Sequence, residues 1–361
     1  MEPLSIYFHW PYCKSKCPYC DFFKRVSPHV DQASIIETYI QKLKDYHRLL
    51  PDRVIHSIFF GGGTPALIEP RHIERLLNKI AQLWKAEDDI EVSLEANPNS
   101  NHSDMFLDLK NAGINRLSLG VQALNEEDLK FLGRTHTLKD ALLSIEDVMH
   151  AFDNHSIDLI YARPNQQPDM WFRELEQATS FGLKHLSLYQ LTIEEGTIFF
   201  KRGVKALAED KAAEMYMQTV SFLRQHGYPR YEVSNFASAP YESKHNKCYW
   251  EGGEYIGIGE SAHGRIKLNG KHYALVDGES KEELSAYERA EELIIMGLRL
   301  QKGIDKKTFQ KISGLDFDRF ICTDKVKILS KEKLIENTDA FLKATDKGFL
   351  VLNKIIEELC L

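Results

Sequence analysis

Three cysteines crowd one loop. Cys13, Cys17 and Cys20 fall within His9-Trp-Pro-Tyr-Cys-Lys-Ser-Lys-Cys-Pro-Tyr-Cys-Asp-Phe, directly after the apolar run Leu4-Ser-Ile-Tyr-Phe. Half of the six cysteines therefore share a C-x3-C-x2-C spacing. Thiolates held this close repel one another unless a metal or cluster neutralises them. A cubane iron–sulfur cluster bound by three thiolates keeps one iron open, where the amine and carboxylate of a small molecule could chelate. A structural zinc ion needs a fourth ligand, usually from a second paired knuckle. Cys248, Cys322 and Cys360 are isolated, and only His9 lies near enough in sequence. A disulfide reading fails on the odd count and on the want of any mark of secretion.

Other residues able to do chemistry recur along the first half of the chain. Gly61-Gly-Gly-Thr-Pro65 follows the run Val54-Ile-His-Ser-Ile-Phe-Phe. Three glycines allow close backbone approach and leave N–H groups free for a ligand. No Gly-Lys-Ser/Thr follows, so this is not a phosphate loop. Glu95 ends Ile90-Glu-Val-Ser-Leu-Glu, where a carboxylate can accept from a ribose or an amine. Gln122, Arg134, His136 and Asp158 stand at the ends or starts of successive strand–helix units. Together they could ring one mouth, with Arg134 offering a planar fork to a carboxylate. Farther on, His245-Asn-Lys-Cys-Tyr-Trp combines an imidazole, a thiol and two aromatic rings. Imidazole is a standard axial ligand of haem iron, and aromatic faces can cover a porphyrin. A loop histidine hydrogen-bonded in place is the plainer reading of His245, and a buried free thiol that of Cys248.

The elements that must position these residues alternate. Strands are expected at 4–9, 54–60, 90–95, 115–121, 156–161 and 185–191. Helices are expected near 31–49, 70–85, 103–112, 125–152 (two helices), 168–182 and 206–227. In 70–85, Ile73, Leu76, Leu77, Ile80 and Leu83 recur at helical spacing. This order predicts βα units on a parallel sheet, open or in an incomplete barrel, with ligands gathering where strands end. The aromatic, Gly-rich stretch from Gly227 to Gly259 suits a functional loop. From about 281 the chain turns helical again, and its tail from Thr345 to Asn353 suggests a short hairpin of winged-helix kind.

The cysteine spacing matches the radical S-adenosylmethionine superfamily. The full order of motifs resembles the HemW family within it: Tyr7, C-x3-C-x2-C, Gly-Gly-Gly-Thr-Pro, Leu-Glu-Ala-Asn-Pro, Arg-Leu-Ser-Leu-Gly-Val-Gln, Gly-Arg-Thr-His and His-Asn-x-x-Tyr-Trp. These proteins are related to oxygen-independent coproporphyrinogen III oxidase, HemN. The resemblance runs from Ile6 to about Gly264 and more loosely to the end. It implies an incomplete (β/α)6 TIM-like barrel over 1–230, with a smaller, mainly helical C-terminal region over 231–361. It also implies that Cys13, Cys17 and Cys20 carry a 4Fe–4S cluster. Tyr7, Tyr19, Gly62, Gly63, Thr64 and Glu95 would contact the cluster-bound S-adenosylmethionine, and Gln122, Arg134 and Asp158 would complete the nucleotide pocket. An electron passed to the sulfonium would then release methionine and a 5′-deoxyadenosyl radical. Two loops depart from the family pattern: Ala162-Arg-Pro-Asn replaces Gly-Leu-Pro-Gly, and Gly259-Glu-Ser replaces Pro-Gly before Ala-His-Gly.

The resemblance further implies a haem chaperone, with His245 as the haem contact. Its partners would be haem, a haem acceptor of the respiratory type and a protein reductant for the cluster. A homodimer and a peripheral membrane encounter through the acceptor are compatible with it. The alternative is the oxidase itself. Asp21-Phe22-Phe23 lacks the additional cysteine of the oxidase pattern C-x3-C-x2-C-x-C, and the chain starts close to its first strand, so decarboxylating turnover is not expected. Net charge of −7 disfavours nucleic-acid binding. The N-terminus lacks the pattern of a signal peptide, and no apolar run reaches the roughly 20 residues of a membrane span. A cytoplasmic protein is expected.

Overall fold

The computed structural model describes residues 2–27, 29–98 and 103–360. The six expected strands are all present: β1 (Glu2–Trp10), β2 (Arg53–Gly62), β3 (Lys85–Ala96), β4 (Arg116–Gln122), β5 (Asn154–Tyr161) and β6 (His185–Gln190). They pair in that order, every neighbour parallel. The helices between them are Gln32–Leu49, Pro70–Leu83, Ser103–Asn111, the pair Glu126–Phe131 and Leu138–Ala151, and Pro168–Ser180. A partial α/β barrel of the radical S-adenosylmethionine type results, followed by a mainly helical C-terminal body.

Side chains alternate across a strand, and here the two faces differ in kind. Leu4, Ile6 and Phe8 of β1, Ile58 and Phe60 of β2, and Leu117 and Leu119 of β4 join the large apolar core beneath the helices. The residues between them are polar and equally buried: Ser5, Ser57, Glu91, Ser93, Arg116, Ser156, His185 and Ser187. Such groups need partners once out of water. Ser5 Oγ meets Ser57 Oγ at 2.7 Å, Ser118 Oγ donates to Asp158 at 2.9 Å, and Ser156 Oγ bonds His185 at 2.8 Å. The concave face is thus a hydrogen-bonded surface, suited to a polar ligand.

The segment read as a functional loop proves to be framework. Residues 235–284 supply β7 (Asn235–Ala237), β8 (Tyr255–Ile258), β9 (His263–Leu268), β10 (Lys271–Val276) and β11 (Ser280–Leu284). The order across the sheet is β11-β10-β9-β8-β1-β2-β3-β4-β5-β6-β7. β8 is parallel to β1, with Ser5 opposite Tyr255, so the first strand of the chain is interior. The helix Lys244–Trp250 precedes β8. Consequently the packing does not change at 230. A second apolar core is built from residues 290–359, with Ile294, Leu298, Phe309 and Leu342 within it. The tail also differs from expectation: the hairpin lies upstream, pairing Ile335–Asn337 with Phe341–Ala344, and Asp346–Phe349 and Leu352–Leu359 are helical. Ile355, Ile356 and Leu359 are buried on one face, a helical period that the hairpin reading overlooked.

Phe60 is fully buried and stacks on Phe8 with ring centroids 4.8 Å apart. Phe60→Ala should cost about 3–5 kcal/mol of stability, read as a lower denaturation midpoint in urea.

Candidate cluster and cofactor site

The three-cysteine loop hangs from the C-terminal end of β1 and is clasped to the turn after β2. Gly63 N–H donates to Trp10 O at 2.6 Å and Thr64 N–H to Tyr12 O at 2.9 Å. A Cβ on Gly63 would stand 2.6 Å from Tyr12 O, so only glycine lets the two backbones come this close. Gly62 N–H is also taken, by Glu95 Oε2 at 3.2 Å. The amides of the glycine turn are therefore bonded within the protein and not held free for a ligand, contrary to the sequence expectation. The turn instead places the cysteine loop.

From below, the loop rests on a small apolar cluster of Leu129, Leu132, Ile160, Leu191 and Phe199, with Tyr19 against it. Pro18 O accepts from Phe199 N–H at 3.0 Å. Above this support opens a cavity of about 390 Å³ at the ends of the parallel strands. Cys13, Cys17, Cys20, Tyr19, Gly62, Gly63, Thr64, Glu95, Gln122, Arg134 and Asp158 all line it. Residues far apart in the chain are thus gathered on one wall set.

Two expected members stand elsewhere. Tyr7 lies behind the wall, its ring beside Gly61 and its hydroxyl 3.0 Å from His9 Nδ1. His136 is buried against Val121 O at 3.2 Å, and burial first, then Arg134, lowers its pKa to about 4. Asn97, Lys24 and Tyr189 line the cavity without having been singled out. Asn97 lies inside the quoted Glu95-Ala-Asn-Pro, where its amide could have been weighed. Lys24 and Tyr189 carry no signal beyond nearness to the cysteine loop and to the end of β6.

His245 stands apart from the residues that line the cavity. It is 0% exposed, in the helix Lys244–Trp250. Its Nδ1 is bonded to Ser57 Oγ at 2.9 Å and its Nε2 to Tyr249 OH at 2.6 Å. Burial, with His56 and Arg116 nearby, lowers its pKa to about 3, so the ring is neutral. Both ring nitrogens are hydrogen-bonded within the protein. The helix is pinned by Glu91, which accepts from Lys244 N–H at 3.0 Å and His245 N–H at 3.1 Å. Cys248 is a half-buried free thiol, raised to about 11 by desolvation.

The cavity lining carries groups of both signs. Thr64 Oγ1 donates to Cys13 Sγ at 3.6 Å and Arg134 Nη1 to Cys17 Sγ at 3.3 Å. Arg134 Nη2 donates to Asn97 Oδ1 at 2.5 Å and Gly120 O at 2.8 Å, so the fork expected to face a carboxylate is already engaged. Its Nε, however, is buried without a partner. Burial and then repulsion from Asp158 raise Glu95 to about 8. Burial raises Asp158 too.

These residues fit a cluster better than a zinc ion. All six cysteines are free thiols. Among the described residues no group of three or more His, Cys, Asp or Glu could hold one metal ion. In a cubane each thiolate takes its own iron, so thiols around a shared space suffice. The nearest fourth ligand for zinc is committed: His9 bonds Tyr7 through Nδ1 and Phe23 O through Nε2 at 3.0 Å.

A profile of the radical SAM superfamily matches residues 7–178, and one of the HemN C-terminal domain matches 284–351. The protein named heme chaperone HemW from Lactococcus lactis is 36% identical over 376 residues, covering 100% of this chain and 98% of its own. The mitochondrial radical S-adenosyl methionine domain-containing protein 1 of Bos taurus is 34% identical, covering 98% of this chain and 86% of its own. Among solved structures, HemN of Escherichia coli, coproporphyrinogen III oxidase and a radical SAM enzyme, superposes with a TM-score of 0.81. It covers 99% of this chain and 89% of that one at 22% identity, a likeness of fold.

Glu95 sets a pH dependence. Its folded pKa of about 8 lies above the ordinary 4.5. The folded state therefore holds more protons between those values, and stability falls as pH rises through that window. Glu95→Gln should make this fall shallower in the ligand-free protein, read as melting temperature against pH, with Glu232, raised to about 7 by burial, carrying part of what remains. An unchanged slope in the variant would refute the assignment.

Proposed function

Because this chain belongs to the HemW family of radical SAM proteins, we propose that it binds haem and hands it to acceptor proteins, carrying a 4Fe–4S cluster and S-adenosylmethionine. The observation that carries this reading is the 36% identity to a haem chaperone over the whole chain, joined to three free thiols on one cavity wall. Cys13, Cys17 and Cys20 hold the cluster. Gly62, Gly63, Thr64 and Glu95 receive the methionine end of the cofactor, with Tyr7 behind them. Tyr19, Gln122, Arg134 and Asp158 enclose the remainder. When bound, the cluster supplies single electrons to the sulfonium. The chain's own share is placement: Thr64 and Arg134 point donors at Cys13 and Cys17 sulfur.

The oxidase reading is weaker. Asp21-Phe22-Phe23 offers no further thiol, and Phe22 is instead 61% exposed. The acceptors we infer are respiratory proteins, met at a membrane surface, and the reductant is a protein able to deliver single electrons. Among the described residues no helix is long and apolar enough to cross a membrane. We divide the chain where the packing divides, into a sheet body ending at Leu284 and a C-terminal body from Ser285.

Anaerobic reconstitution should load about four irons and four sulfides per chain, and Cys17→Ala should lose most of both. Titrating the protein with haem should raise a saturable Soret band. Incubation with coproporphyrinogen III, S-adenosylmethionine and a reductant should leave the substrate unchanged. Turnover to protoporphyrinogen without a Soret band would reverse the assignment.

A further inference from the structure

Thr64 and Arg134 each put a donor on one cysteine of the loop, and a third side chain stands between them. Asn97 follows β3 directly and lines the cavity. Arg134 Nη2 donates to Asn97 Oδ1 at 2.5 Å, and Asn97 Nδ2 donates to Thr64 Oγ1 at 3.1 Å. The same guanidinium gives Nη1 to Cys17 Sγ at 3.3 Å, and Thr64 Oγ1 donates to Cys13 Sγ at 3.6 Å. One chain of hydrogen bonds therefore runs from Cys17 sulfur to Cys13 sulfur, with Asn97 at its middle.

The direction of each bond in that chain follows from the groups that make it. A guanidinium has donors and no acceptor, so the Asn97 amide turns its oxygen to Arg134 and its nitrogen to Thr64. Arg134 Nη2 also donates to Gly120 O at 2.8 Å, which holds the fork in place. Gly120 leaves the room for this arrangement: a Cβ there would stand 3.1 Å from Asn97 Oδ1. The Thr64 hydroxyl, receiving from Asn97, has a single hydrogen to give, and Cys13 sulfur is within its reach. Thr64 is itself buried and tied through its N–H to Tyr12 O at 2.9 Å. What Asn97 settles is the direction of the hydroxyl hydrogen.

We propose, resting on the cluster reading above, that Asn97 is a positioning residue for the cluster: by occupying the Thr64 oxygen it aims that hydroxyl at Cys13 and so raises the reduction potential. Hydrogen bonds to the sulfurs are among the levers that set such potentials. A donor at sulfur favours the reduced form, which carries one more negative charge. The effect of Asn97 is passed on through Thr64.

Redox titration of the full chain, anaerobically reconstituted and free of S-adenosylmethionine, tests this through the electron paramagnetic resonance signal of the reduced cluster. Asn97→Asp keeps the size but offers Thr64 only an acceptor, which draws the hydrogen from Cys13, and should move the midpoint to more negative potential. Asn97→Leu should move it the same way by less. Thr64→Ser should hold the midpoint and Thr64→Val should lower it. Asn97→Leu combined with Thr64→Val should lower it by less than the two single shifts summed. Iron and sulfide per chain should match the unmodified protein throughout. An unchanged midpoint in Asn97→Asp, or full additivity in the double variant, would overturn the proposal. Loss of iron in both Asn97 variants would overturn it as well, because a residue that only aims a hydrogen is not needed to hold metal. Failure of the unmodified protein to take up iron and sulfide would instead overturn the cluster reading itself.

Discussion

The site depends on a backbone clasp. Two amides of the glycine turn, Gly63 and Thr64, close on two carbonyls at and just past the end of β1, Trp10 and Tyr12. Each bond is ordinary, worth roughly 0.5–1.5 kcal/mol net. Their effect is positional, because they fix a loop of thirteen or so residues to a rigid parallel sheet. Everything downstream of them follows: thiols facing one cavity, Thr64 within reach of Cys13, and Arg134 within reach of Cys17. The glycine run is therefore a joint between two strands before it is a wall for a ligand.

The concave face imposes the second constraint. Parallel sheets are commonly apolar on both faces, yet this one buries serines, acids, an arginine and histidines along its inner side. Buried polar groups are stable only when paired, and the chain supplies many of the partners itself. His245 and Ser243 do this for Ser57 and Glu91. At its open end this surface gathers two carboxyl groups, Glu95 and Asp158, and the Arg134 guanidinium around one cavity. Lowering the charge cost there is work that a cationic, amine-bearing ligand would do as it enters.

The parallel strands and most of their helices were legible because each is an apolar run of strand length followed by an amphipathic one. β8 was not, and the reason is physical. Glycine within a strand often marks close backbone approach, and a Cβ on Gly257 would lie 2.2 Å from His263 O. Glu-Tyr-Ile-Gly-Ile-Gly thus looks like a loop and is a strand. The motif residues were found by spacing, and most of them converge on one cavity. Spacing carries no information on burial, however. His245 has the side chain of a haem ligand and the surroundings of a core residue, and only the positions of Ser57 and Tyr249 distinguish the two. Tyr7 and His136 likewise sit one layer behind the surface their motifs suggest.

The pairing of β1 with β8 carries a consequence for how the molecule is made. Ser5 lies opposite Tyr255, about 250 positions later in the chain. Until that later strand has left the ribosome, one edge of β1 has no neighbour. An unpaired strand edge invites association with other chains. Non-local pairing of this kind also slows acquisition of the native topology. The three-cysteine loop hangs from this same strand, so its setting is complete only once a strand made late in synthesis has paired.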